Sequence, residues 1–191
     1  MEPLPSMNKG ELLLTIARAI ITKQLGIPAT IPKTTDHPWL NEPAATFVTL
    51  KKNGELRGCI GSLKSHCSLM DDLQNNVIAA AFHDPRFSSL SEDELDQLQI
   101  EISILSSPVK VEFVSEADLL AQLKPHIDGV IFNYRHYRST FLPQVWDQLP
   151  TPELFMTHLK QKAGLAADFW NDEVLIYRYS VEKFSELEDG E

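Results

Sequence analysis

The first part of the chain contains two segments with helical periodicity. Asn8 followed by Glu11 is typical of a capping box, and an apolar stripe at helical spacing follows it up to Leu25-Gly26. Residues 68–82 predict a second helix that ends before Asp84-Pro85, because proline disfavours helical backbone in the preceding residue. The stripes consist of Leu12, Leu13, Ile16, Ala19 and Ile20 in the first helix and of Leu69, Leu73, Val77 and Ala80 in the second.

Strand periodicity predicts antiparallel pairs. Residues 46–52 and the segment that follows are joined by Asn53-Gly54, a dipeptide typical of a tight hairpin turn. Residues 99–105 alternate, which places the isoleucines on one face and Glu101 and Ser103 on the other. Further strands are predicted over 129–134, 136–141 and, as the final strand, 174–179. Short helices are predicted after Ser91 and Ser115, and a further helix is predicted to start at Thr151 and to be closed by Gly164. Since hairpins dominate, the predicted fold class is α+β, a mainly antiparallel sheet flanked by helices.

Composition and charge restrict the kind of protein. The 191 residues suffice for one domain with a buried core, and a hydrophobic content of 43% is typical of an ordinary globule. A net charge of −10 repels a phosphate backbone, so we expect no nucleic-acid partner. No apolar run reaches the length of a membrane span, and the first residues lack the features of a signal peptide. We therefore expect a cytoplasmic protein without membrane association.

The sequence contains no pattern for a cofactor. Cys59 and Cys67 are too few for a disulfide framework, and their spacing matches no zinc site. The glycine-rich loops that hold nucleotide phosphates do not occur either. We predict neither a metal nor a cofactor.

The segment 56–61 is the strongest candidate for a functional site, because it places a cation, two glycines and a thiol within six residues. Arg57 carries a forked cation suited to a carboxylate or a phosphate. The missing Cβ atoms of the glycines allow a ligand to approach the backbone, so Gly58, Ile60 and Gly61 are candidate ligand-binding residues. A thiol in this setting is expected to be partly thiolate, which makes Cys59 the candidate nucleophile.

Each charged or nucleophilic candidate is also suited to a purely structural role. An isolated cysteine is more often inert packing, and Arg57 is equally suited to a salt bridge with Glu55 or Glu101. Glu101 is either a solvent-facing strand residue or a catalytic general base, and it is also a candidate counter-ion for Arg57 or Arg86.

Two further motifs complete the set of candidates. The run Asp84-Pro85-Arg86-Phe87 is either an architectural turn or a source of ligand contacts from Asp84 and Arg86. Gln144 either binds a ligand amide or stabilises its own loop. Polar groups that meet from distant positions usually mark a site. We predict such a meeting, near one cleft, for Arg57, Cys59, Arg86 and Glu101.

Six segments occur in a distinctive order along the chain: 56–61 (Leu-Arg-Gly-Cys-Ile-Gly), 80–87, 100–106, 129–131, 140–146 and 162–165. In this order and spacing they resemble the AMMECR domain, called protein A of the AmmeMemoRadiSam system in prokaryotes. The similarity runs from the first helix to Phe184, so we expect one domain over 8–184, with flexible termini over 1–7 and 185–191. The resemblance implies a larger and a smaller lobe around a cleft, and association with a Memo-type protein and a radical-SAM protein. It supplies no reaction.

Two functions remain open at this stage. In the first, the loop 57–61 binds a small polar or anionic ligand, and Cys59 performs covalent or redox chemistry in a pathway shared with the Memo-type and radical-SAM partners. In the second, the domain is not an enzyme, and the same cleft recognises a protein or a peptide as an adaptor.

Overall fold

The structure, a computed structural model, describes residues 7–186. The described chain forms two compact units: the first contains residues 7–105 together with residues 182–186, and the second runs from Ser106 to Val181. Each unit has one four-stranded sheet. Antiparallel sheets with helices confirm the predicted α+β class.

The elements follow one another along the chain in an irregular order. The α-helices are α1 (Lys9–Gln24), α2 (Leu69–Ile78), α3 (Glu116–Gln122) and α4 (Pro152–Lys162). The strands are β1 (Ala45–Lys52), β2 (Glu55–Gly61), β3 (Leu98–Leu105), β4 (Val109–Lys110), β5 (Gly129–Tyr134), β6 (Tyr137–Phe141), β7 (Leu175–Tyr179) and β8 (Val181–Ser185). Short 3-10 helices cover Pro38–Asn41, Glu92–Gln97 and Pro143–Asp147, and a π-helical turn, Ala79–His83, extends α2.

The first unit is built on the sheet β2-β1-β3-β8. Helices α1 and α2 pack against one face of it, and every residue of the two predicted apolar stripes is buried there. The predicted capping box is confirmed, since the Asn8 side chain accepts from the Glu11 amide and Glu11 accepts in return. Alternate strand residues complete this core: Val48, Leu50, Ile100 and Ile102 are fully buried.

The predicted hairpin joins β1 to β2. Asn53 has φ of 51° and Gly54 has φ of 80°, both in the left-handed region that a tight two-residue turn requires. Asparagine and glycine adopt this region more readily than other residues, which is why this dipeptide specifies the turn. The strands on either side of it are antiparallel, as predicted.

Strand β2 contains a β-bulge at Arg57. Lys51 pairs with Leu56, but the next residue of β1, Leu50, pairs with Gly58, so Arg57 has no partner on β1. One inserted residue moves all later side chains of a strand to the opposite face. In an unbulged register Cys59 would pair with the core residue Val48; with the bulge it pairs with Thr49.

The second unit contains the sheet β4-β7-β5-β6. Its core holds Trp146, whose ring stacks on Phe155 with centroids 3.8 Å apart and whose Nε1 donates to the Asp128 carbonyl at 2.7 Å. Helix α4 begins after Thr151 and ends before Gly164, which has φ of 92°. These ends agree with the predicted ones.

One prediction near the C-terminus is wrong. Strand 174–179 is not the last one, because β8 follows it at the edge of the first sheet. Of the segment 185–191, the structure describes two residues: Ser185 ends β8, and the Glu186 carboxylate accepts from Arg18 at 2.6 and 2.7 Å and from the Ile100 amide at 2.9 Å. Residues 187–191, like residues 1–6, lie outside the described part of the chain.

Candidate functional site

Cys59 lies on the face of the first sheet that is opposite to α1 and α2. Its β1 partner is Thr49, and the neighbours of Thr49 on β1, Val48 and Leu50, point into the core. The Cys59 sulfur is 3.3 Å from the Thr49 hydroxyl oxygen, and the cysteine is half-buried. We call this side of the sheet the polar face, defined by Thr49, Lys51, Cys59, Glu101 and Lys183.

The main chain of Cys59 is held by two side chains of the motif after α2. The Cys59 amide donates to Asp84 Oδ2 at 2.9 Å, and Arg86 Nη2 donates to the Cys59 carbonyl at 3.1 Å. Arg86 also pairs with Asp84, at 2.7 Å from Nη2 to Oδ2 and 3.0 Å from Nε to Oδ1. Because β2 is an edge strand, the two side chains supply the hydrogen bonds that a further strand would otherwise make.

Asp84 is ionised over the whole physiological range. The hydrogen bond from Arg86 and those from two main-chain amides hold the pKa of this buried carboxyl far below its ordinary value, although burial acts in the opposite direction. Arg86 remains more exposed, with 54% of its side chain accessible. One end of the pair is therefore structural, while the other is open to solvent.

Arg57 points away from the polar face and binds Glu94. The two contacts are 2.9 Å from Nε to Oε1 and 3.0 Å from Nη2 to Oε2, and both residues are buried. The predicted partners Glu55 and Glu101 are therefore wrong. The hydrogen bond from Arg57, together with others from Ser91 and Lys52, outweighs burial and holds the pKa of Glu94 far below its ordinary value.

Internal packing accounts for both glycines of the motif. A Cβ atom at Gly58 would collide with the Ala80 carbonyl oxygen, and one at Gly61 would collide with the Phe47 ring. Ile60 packs against the core of the first unit. The space left by each missing Cβ is thus filled from within the protein.

Glu101 is held by two lysines of the polar face. Lys51 Nζ lies 2.8 Å from Oε1, and Lys183 Nζ lies 3.2 Å from Oε2. Burial by itself raises the pKa of Glu101, but hydrogen bonds and charge from the lysines outweigh it, so the pKa lies below its ordinary value. Its predicted pairing with Arg57 or Arg86 is wrong.

Three neighbouring strands place a row of side chains across the polar face. Thr49 pairs with Cys59 on one side and with Glu101 on the other. Adjacent strands are about 4.8 Å apart, so the Cα atoms of Cys59 and Glu101 are separated by roughly 10 Å. Of the four predicted convergent side chains, Cys59 and Arg86 are neighbours, Glu101 lies two strands away, and Arg57 does not join them.

Three members of the polar face were not predicted from the sequence. Thr49 and Lys51 alternate with the core residues of β1, so strand periodicity could have identified them. Lys183 had no such signal, because β8 was not predicted.

Gln144 belongs to the second unit, where it is exposed in the helix Pro143–Asp147.

The second cysteine has different surroundings. Cys67 precedes α2 and is half-buried. Burial and the nearby carboxylates of Asp72 and Asp71 raise the pKa of the Cys67 thiol, so little thiolate forms at neutral pH. Cys67 is therefore a natural internal reference for the reactivity of Cys59.

The first unit also has a groove of about 870 Å³ between α1 and β8. Leu14, Arg18 and Phe184 are among the residues that line it, and no predicted site residue does.

Within residues 7–186, no three His, Cys, Asp or Glu side chains are grouped as metal ligands. Over the same range, the helices are too short or too polar to cross a lipid bilayer.

Known proteins are similar to this chain in sequence, and one solved structure is similar to it in fold. The AMMECR1 family model matches residues 14–184. A protein of Methanothermobacter thermautotrophicus is 35% identical, with 95% of this chain and 96% of that protein aligned. Protein MJ0810 of Methanocaldococcus jannaschii is 34% identical, with 97% and 94% aligned. The crystal structure of the uncharacterized protein PH0010 from Pyrococcus horikoshii superposes with a TM-score of 0.79 at 31% identity, covering 93% of this chain and 91% of PH0010. The chain belongs to the AMMECR1 family.

Proposed function

We propose that the polar face of the first unit binds a small polar or anionic ligand and that Cys59 is the nucleophile of this site. The single observation that carries the proposal is the bulge at Arg57. It turns the Cys59 thiol from the core side to the polar face, next to the Thr49 hydroxyl. Bulges of this kind commonly re-aim a side chain at an active site.

The residues around Cys59 support a positioning role for the two sequence motifs. Asp84 and Arg86 hold both peptide groups of Cys59, and Arg57 with Glu94 fixes the bulge that precedes it. A nucleophile is effective only when its orientation is fixed relative to the bound ligand. In this proposal Arg57 and Asp84 are positioning residues, while the exposed side of Arg86 is available to the ligand.

Glu101 has a modified role in the proposal. A general base works best when its pKa lies near the working pH, whereas the lysines lower that of Glu101. We assign Glu101 to organising the lysines of the polar face. We also keep Gln144, an exposed residue of the second unit, as a candidate ligand-binding residue within that unit.

The proposed setting follows the family resemblance. The protein acts in the cytoplasm, in a pathway with a Memo-type protein and a radical-SAM protein of the AmmeMemoRadiSam system. The alternative is a non-enzymatic adaptor that binds a protein or a peptide on the same face. The reactivity of the thiol distinguishes the two.

Native labelling tests the proposal. The folded protein is treated with iodoacetamide at neutral pH, and the modified peptide is located by mass spectrometry. We expect Cys59 to react well before Cys67, because Cys67 is held as a thiol by its surroundings. Cys59→Ser removes the fast signal, and Cys67→Ser is the matched control that leaves it. Labelling of Cys59 only after unfolding in urea contradicts the proposal and favours the adaptor alternative.

A further inference from the structure

The lysine pair of the polar face carries more charge than its carboxylate partner. Two ammonium groups, Lys51 and Lys183, share one carboxylate, Glu101. The contacts leave one positive charge in excess, in a chain whose net charge is −10. Both lysines are partly accessible, at 35% and 53% of their side chains, so an anion can reach them.

Resting on the proposed function, we propose that Lys51 and Lys183 bind the carboxylate or phosphate group of an elongated ligand whose electrophilic carbon reaches Cys59. The two lysines thereby define the class of ligand that the thiol meets. Charge complementarity selects the anion, since exposed ammonium groups attract it and Glu101 alone does not neutralise both.

The geometry of the sheet sets the length of this ligand. The Cys59 and Glu101 positions are two strands apart, and strand spacing puts them roughly 10 Å from one another. An anion seated at the lysines therefore requires a linker of several atoms before the reactive carbon. Short anions such as iodoacetate do not span the distance.

A second pair of cations in the same unit, Lys52 and Arg57, also shares one carboxylate and provides a control. Lys52 Nζ lies 3.1 Å from Oε1 of Glu94, which also binds Arg57. Glu94 is a buried residue that belongs to the bulge contacts, not to the polar face. If removing any positive charge weakened the attraction of an anion, a substitution at Lys52 would have the same effect as one at Lys51 or Lys183. If the anion site is specific, only substitutions at Lys51 and Lys183 have this effect.

The test compares two alkylating probes with the same reactive head. The charged probe is N-iodoacetyl-ε-aminocaproate, whose carboxylate lies about 10 Å from the reactive carbon when the chain is extended, as ordinary bond lengths require. The neutral probe is the N-methylamide of the same acid. In both reactions the carbon–sulfur bond forms, the carbon–iodine bond breaks, and iodide and a proton leave. The full-length Cys67→Ser protein is used, so that all labelling occurs at Cys59. The measured quantity is the labelling rate with the charged probe divided by the rate with the neutral probe. The same ratio for free glutathione is the reference.

The expected ratio in this protein is about five-fold above that of glutathione, the size given by partly exposed ion pairs. Lys51→Met and Lys183→Met each lower it about two-fold or more, by the same estimate. Glu101→Gln raises it, because the competing carboxylate is removed. Lys52→Met leaves it within the error, and Lys183→Arg restores most of it. High salt reduces the ratio towards that of glutathione.

Two failures are separable. If neither probe labels Cys59 in the folded protein, the proposed function is wrong and the ligand assignment falls with it. If the neutral probe labels Cys59 but the ratio equals that of glutathione and is insensitive to both lysines, the anion site alone is overturned. Thermal unfolding of each variant confirms that the ratio is read on folded protein, and an equal response to Lys52→Met also overturns the site.

Discussion

Gly58 and Gly61 flank the nucleophile candidate, and each is required by a different neighbour. At Gly58 the obstacle to a side chain is main chain, the Ala80 carbonyl oxygen, which cannot move without shifting the turn after α2. At Gly61 the obstacle is the Phe47 ring, a side chain that can adopt another rotamer. The same residue type in one motif thus predicts two different costs of substitution.

We expect Gly58→Ala to destabilise the first unit by about 3 kcal/mol, the upper end of the usual range for overpacking, because the added methyl group meets main chain and forces the helix away from β2. Gly61→Ala is expected to cost about 1 kcal/mol or less after the ring moves. Urea unfolding followed by circular dichroism measures both. The matched test is Phe47→Leu, which should rescue Gly61→Ala and leave Gly58→Ala unchanged. Equal costs for the two glycines would show that the packing interpretation is wrong.

At the scale of elements, the hairpin shows what could and could not be predicted from the sequence. The turn at Asn53-Gly54 follows from local backbone preferences, and it was predicted correctly. The bulge three residues later depends on contacts from elsewhere in the chain, with Glu94 and with Ala80. Strand periodicity alone places Cys59 on the core side, so the orientation of the thiol could not be derived from the pattern.

The bulge makes the Arg57–Glu94 pair a critical contact of the β1–β2 element. Breaking a buried ion pair by removing one partner is expensive, because the other charge stays buried without compensation. We expect Arg57→Ala to cost about 3 kcal/mol of unfolding free energy and to slow native labelling of Cys59. Glu94→Gln, measured alongside, should also be destabilising, because it removes the negative charge and turns one of two acceptor oxygens, both of which face N–H donors, into a donor itself.

A double-mutant cycle checks whether the two residues act as one contact. The cost of Arg57→Ala with Glu94→Gln should be smaller than the sum of the single costs. Arg135→Ala, at an exposed pair with Glu173 in the second unit, is the matched control and should change stability by less than ~0.5 kcal/mol. Additive costs for Arg57 and Glu94 would mean that they do not stabilise the bulge together.

At the scale of the whole molecule, the chain leaves the first unit at Leu105 and returns to it at Glu182. The return was not predicted, because β8 is short and lies beside β3, a strand far from it in sequence. The hydrogen bond between Glu186 and Ile100, for example, joins residues 86 positions apart. Local periodicity identifies most helices and strands, yet it carries no signal for such distant pairing. For the same reason Lys183, which β8 brings to Glu101, was absent from the predicted site.

The stability of the fold at acidic pH depends on the ion pairs of Asp84 and Glu94 together. The folded state lowers the pKa of Asp84, chiefly through its hydrogen bond with Arg86, and that of Glu94, chiefly through its hydrogen bond with Arg57. A carboxyl whose folded pKa is depressed binds its proton more readily when unfolded. It therefore stabilises the fold above the unfolded value of about 4 and loses this contribution as the pH falls through the folded value.

We expect the unfolding free energy of the first unit to fall steeply once the pH drops below about 5, the upper end of the range in which unfolded carboxyls take up protons. Urea unfolding at a series of pH values measures the slope. Asp84→Asn is already less stable at neutral pH and should show a smaller further loss on acidification, because one titrating group is gone. Glu173→Gln, which removes a carboxylate from an exposed pair of the second unit, should leave the acid slope unchanged. If Asp84→Asn kept the full acid slope of the parent protein, the depressed pKa of Asp84 would not be a source of its acid sensitivity.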